Sequence, residues 1–113
     1  MDIPVRFKLF ARTISVVWTE GPFVERPECS AFSSFRLDQI QMNPNPVVGG
    51  PNDDRSKQSF CHELMHFILY HTGAAFRGDD PTLMHRDEDF VDLCGNMLHQ
   101  VLETAEYGEH TIA

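Results

Sequence analysis

A chain of 113 residues with 42% apolar residues and nine Phe is long enough for one packed core and too short for two, so a single domain over residues 1–113 is expected. The formal charge is −8, from 17 acidic and 9 basic residues, and the Lys and Arg are scattered singly. Nucleic acid and anionic membranes, which demand clustered cations, are thereby excluded as main partners.

No apolar run reaches the length of a bilayer, and the opening MDIPVR lacks the apolar core of a secretory signal, so a soluble, cytoplasmic protein is predicted. Cys29, Cys61 and Cys94 are odd in number and lack CxxC spacing, which argues against a disulfide framework and against a cysteine zinc site. Cys61 and Cys94 fall in apolar helical patterns and read as small core residues.

In chain order, residues 8–19 (KLFARTISVVWT) are rich in β-branched and aromatic residues and predict one strand. Gly21, Pro22 and Pro27 make 20–28 a loop. Residues 30–36 (SAFSSFR) predict a second strand, and the alternation in Gln39–Met42 predicts a short strand exposed on one face. The run 43–52 (NPNPVVGGPN) is irregular. A first helix should start between Asn52 and Asp54 and end near Gly73. A loop follows to about Met84, then a second helix from about His85 to Glu106 with Phe90, Val91, Cys94, Met97, Leu98, Val101, Leu102 and Ala105 as its apolar face. Strands first and helices after imply an α+β domain, a small antiparallel three-stranded sheet covered by two main helices.

The first helix carries His62-Glu63-Leu64-Met65-His66, the pattern HExxH. Residues four apart on a helix stack on one face, so both imidazoles can reach one metal ion. Glu63 is rotated by about 100° from His62, beside the ion, where its carboxylate can take a proton from an activated water. Around them Phe60, Cys61, Leu64, Met65, Phe67, Ile68 and Leu69 make a helix apolar enough to be buried. Two His and a Glu in such a helix need a partner, and a metal is the simplest one.

The extended pattern HExxHxxGxxH is absent, because Leu69 and Thr72 stand at its Gly and third His positions. His71 points about 140° away from His66 and suits the helix C-terminus. A third ligand is therefore expected from the second helix, where His85, Asp87, Glu88, Asp89 and Asp92 are candidates. Glu88 lies at the rim of the apolar face and has the longer reach. Asp92, one turn on, suits a carboxylate that accepts from a ligating His Nδ1–H, and His99 lies along the same line.

The segment HELMHFILYHTG (62–73), followed by the acidic-start helix EDFVDLCGNMLHQVL, resembles ImmA/IrrE-type metallopeptidases, most closely their small phage-encoded forms. The two strands and the short I-x-M-N strand upstream fit the same pattern. The resemblance implies a minimal zincin fold, Zn²⁺ on His62, His66 and Glu88, and Glu63 as general base. It also implies peptide-bond hydrolysis, with a host or regulatory protein among the candidate substrates and the host cytoplasm as location for a phage-encoded member. The spacing of Glu88 and Asp92 resembles the Glu-x-x-x-Asp of gluzincins.

The expected chemistry is thus that of a zinc metallopeptidase acting on a protein or peptide, with the strand Gln39–Met42 aligning an extended substrate. Tyr70, His85, His99 and Tyr107 are candidate oxyanion stabilisers. One alternative is a zinc-stabilised binding or regulatory protein that does not turn over. Another is a non-haem iron site, since two His and a carboxylate also suit Fe(II).

Overall fold

The computed structural model describes residues 1–20, 23, 29–43, 53–75 and 87–111. The expected loops at 20–28, 43–52 and 73–84 fall largely outside these residues, as does His85.

The element order is β1 (Arg6–Leu9), β2 (Arg12–Trp18), β3 (Ala31–Ser34), β4 (Gln39–Met42), α1 (Asp54–Ala75) and α2 (Glu88–Thr104). The class is α+β as expected, but among the described residues the sheet has four strands, not three, and is mixed. The stretch 8–19 is not one strand. It folds back at Phe10 and Ala11, whose φ values of 50° and 65° make a two-residue turn closing on the Leu9–Arg12 pair. Two positive φ values suit the twist of a tight hairpin. Neither residue is Gly, Asn or Asp, so the sequence carries no turn signal there.

Strand order is β1-β2-β4-β3. β4 forms an antiparallel hairpin with β3 and pairs in parallel with β2, Val16 opposite Ile40. Gln39–Met42, expected to be an edge strand that could align a substrate, is therefore interior to the sheet. Both of its edges are bonded, and among the described residues the free edges belong to β1 and β3. The Arg12 guanidinium grips the Asp38 carboxylate through two hydrogen bonds of 3.2 and 3.1 Å, linking the tips of the two hairpins.

Alternation sorts the sheet into two faces. Ile14, Val16, Ile40 and Met42 point to one side and are buried with Phe60, Cys61 and Phe67 of α1. Ser15, Gln39 and Gln41 point to the other side and are partly exposed. Phe7 meets Phe60 edge-on at 6.1 Å, and Phe35 meets Phe67 at 4.8 Å, sealing both margins of the core. α1 lies across β3 and β4, and α2 packs on α1.

Helix α1 starts at Asp54, as expected, and runs through Gly73 to Ala75. Helix α2 begins at Glu88, later than expected, because the Asp87 side chain accepts the Phe90 N–H at 3.1 Å and caps it. It ends at Thr104. Its buried residues are Val91 and Gly95, with Leu98 and Leu102 packed on the core. Phe90, Met97 and Val101, placed by sequence on the inward face, are 37%, 53% and 61% exposed. The packed face is thus turned from the one hydrophobicity predicts, because a glycine rather than a large side chain meets α1.

Candidate metal centre

His62 and His66 stand one turn apart on α1, and the antiparallel packing of α2 brings Glu88 opposite both. Glu88 Oε2 lies 3.1 Å from His62 Nε2, and Oε1 lies 3.1 Å from His66 Nε2. The two Nε2 atoms are 3.2 Å apart. The three side chains named as ligands from sequence therefore converge on one point. Donor atoms that share a small ion stand about 3 Å apart, so this group could hold a small divalent cation, without singling out one metal.

Asp92 Oδ1 is 3.3 Å from His62 Nδ1. A carboxylate there can accept from a His62 Nδ1–H, the tautomer whose Nε2 would be free to bind a metal. Glu88 and Asp92 side chains are 67% and 64% exposed, so the convergence point opens to solvent on the α2 side, while His66 is buried beneath it.

Glu63 is 7% exposed. Burial pushes its carboxyl up from the ordinary 4.5 to about 7, and the Glu88 charge pushes the same way. The His62 ring and the Ser33 hydroxyl oppose this without cancelling it. Ser33, on β3, also donates to the Glu63 backbone carbonyl at 3.3 Å, which ties the outer strand to the turn of α1 carrying the motif. A carboxyl near 7 can both take and return a proton at neutral pH.

The other candidates lie elsewhere. Asp87 is occupied as the cap of α2, and Asp89 is exposed. Tyr70 stacks on Phe35 at 4.2 Å, and His71 sits among Phe10, Phe67 and Tyr70, with Nε2 buried and, among the described residues, without a hydrogen-bond partner. Burial, with Arg12 nearby, lowers the His71 pKa. Tyr107 is 88% exposed. His99 does not continue the line of Glu88 and Asp92 to the His62–His66 pair. It groups with Asp54 and Glu103, a second set whose ligand atoms lie within 4.8 Å of one another. Glu103 Oε1 there already takes the Met1 amino group at 3.1 Å and Lys57 Nζ at 3.6 Å. Two cations on one carboxylate oppose a third, so the His62–His66–Glu88 group is the stronger metal candidate.

Sequence reasoning passed over Gly95 and Ser33. A glycine inside an otherwise sound helix is a signal of close approach. Here a Cβ on Gly95 would stand 2.9 Å from the His62 Cα. Ser33 had no comparable signal, since its role depends on which strand lies over α1.

No protein-family profile matches the chain, and neither a characterised protein nor a solved structure is significantly similar to it. Among the described residues no helix is long and apolar enough to cross a membrane.

Proposed function

We propose that this protein is a zinc-dependent metallopeptidase-type hydrolase on a minimal zincin scaffold, of the kind the ImmA/IrrE resemblance implies. The observation that carries the proposal is the meeting of His62, His66 and Glu88 at 3.1–3.2 Å beside a buried Glu63. His62, His66 and Glu88 would hold Zn²⁺, and Asp92 would orient His62 through Nδ1. Zinc bound there supplies Lewis acidity toward a peptide carbonyl and toward water. Glu63 takes the proton of the attacking water and hands it to the departing amine.

A peptide substrate would add to the free edge of β3, since β4 is closed on both sides and β3 lies over α1. The substrate class is then a protein or peptide segment able to extend as a strand, a host or regulatory protein included.

The test is a matched pair of proteins. Wild type should purify with about one zinc per chain and cut members of a mixed peptide library, read by mass spectrometry. Glu63→Gln should bind zinc as tightly and cleave at least ~100-fold more slowly, the usual scale of a lost acid–base group. Absence of zinc binding at micromolar concentration rejects the metal site. Cleavage that survives Glu63→Gln rejects the base. Zinc binding without cleavage by wild type leaves a zinc-stabilised binding protein as the reading.

A further inference from the structure

Helix α2 comes against the backbone of α1 at a residue that has no side chain. A Cβ built on Gly95 would lie 2.9 Å from His62 Cα, 3.2 Å from His62 N and 3.4 Å from Cys61 C. All three are backbone atoms, which cannot swing aside as the end of a long side chain can. Gly95 is itself buried. The contact falls on His62, the residue whose two ring nitrogens face Glu88 and Asp92.

Glu88 is seven residues before Gly95, two turns along the same helix face, and Asp92 is three residues before it. Val91, fully buried between them, completes the seam. The spacing of the two helices at His62 is thus the spacing at which both carboxylates meet the His pair. Moving a 2.9 Å contact out to an ordinary 3.4 Å needs a shift of half an ångström. Metal–ligand distances hold to about 0.2 Å. The shift exceeds that tolerance, so it is felt by the ligand set before it is felt by the core.

We infer that Gly95 is a positioning residue of the metal site: its missing side chain lets α2 rest on the backbone of His62 and so sets the distance at which Glu88 and Asp92 engage the His62–His66 pair. The inference rests on the metal reading above and adds a requirement that reading does not contain. Gly95 touches no ligand atom and acts only through the helix that carries Glu88.

Zinc affinity measured by competition with a chelator tests it without recourse to activity. Gly95→Ala should weaken zinc roughly 10–100-fold, the scale of losing an outer contact to a ligand. Gly108→Ala, where nothing lies within 4 Å of the added Cβ, should leave affinity unchanged. In a background carrying both Glu88→Ala and Asp92→Ala the Gly95→Ala change should matter less than about threefold, because the carboxylates it positions are gone. A purely structural loss would instead add in full to both backgrounds. Val91→Leu, which widens the same seam from a neighbouring side chain, should weaken zinc in the same direction and serves if Gly95→Ala does not fold. Zinc affinity unchanged in a folded Gly95→Ala, or in Val91→Leu should that be the only folded variant, overturns the inference while leaving the metal site standing. A wild type that binds no zinc removes the reading beneath it.

Discussion

Glu63 is where environment matters most to a single side chain. Its folded-state value of about 7 stands above the ordinary 4.5, so the folded protein prefers it protonated. The stabilisation this gives is complete below pH 4.5 and is lost as pH rises through 7. A rise of this size corresponds to ~3 kcal/mol. In chelator-treated protein, the urea-unfolding free energy of wild type should fall relative to that of Glu63→Gln across pH 4.5–7.5, by that order. A difference between the two that stays flat with pH would show that Glu63 is not held in its neutral form. Glu88 and Asp92 differ in the same residue-by-residue way. Glu88→Ala should cost zinc affinity by orders of magnitude and Asp92→Ala roughly 10–100-fold, since only the first removes a ligand. Reversal of that order in chelator competition would exchange their roles. His62, Glu63 and His66 were legible because a fixed helical spacing carries them. Asp92 was placed by the wheel of its own helix, and Glu88 by that wheel, its reach and the family resemblance together. Gly95 was legible only as an interruption of its helix, because its meaning lies in what it faces.

The helices were easier to read than the strands, and the reason is local. A period of 3.6 repeated over several turns marks α1 within a residue at its start, and only the Asp87 cap displaced the start of α2. Asp87→Ala should therefore cost ~1 kcal/mol, measured by chemical denaturation, and should leave zinc affinity nearly unchanged if Asp87 is a cap and no ligand. The first hairpin was hidden because Phe10 and Ala11 take positive φ without any of the usual turn residues. An alanine in that conformation carries a steric cost of about 1 kcal/mol that glycine does not. Ala11→Gly should raise stability by a few tenths up to ~1 kcal/mol, and a loss of stability would mean the turn is held by something other than its backbone. The outward turn of Phe90, Met97 and Val101 was likewise unreadable, since apolarity says how many residues prefer burial and not which of them find it.

At the scale of the molecule, one core serves both stability and the site. Phe67 is fully buried under the sheet and directly follows His66, so Phe67→Ala should destabilise by 3–5 kcal/mol and lower the melting temperature even in metal-free protein. Zinc at a hundredfold excess over its Kd should add about 2.7 kcal/mol to wild type, visible as a rise in melting temperature that His66→Ala abolishes. A zinc-dependent rise that persists in His66→Ala would place the ion elsewhere. The α+β class followed from element order alone. The number of strands and their mixed direction did not, because direction is decided by which strands meet, and no single segment records that.

The parallel seam between β2 and β4 also gives the chain an order of events in time. The hairpins β1–β2 and β3–β4 each close over a few residues, whereas Val16 and Ile40 are 24 positions apart. Short loops close in well under a microsecond, and distant pairs carry the entropy of the whole intervening segment. Two preformed hairpins should therefore wait on one encounter, and that encounter creates the floor on which the HExxH helix settles. Ile40→Val, at the seam, should slow refolding in stopped-flow measurements. Thr13→Ala, inside the first hairpin, should act chiefly on local fraying. The site would then assemble last, on a platform whose slowest join lies directly beneath α1.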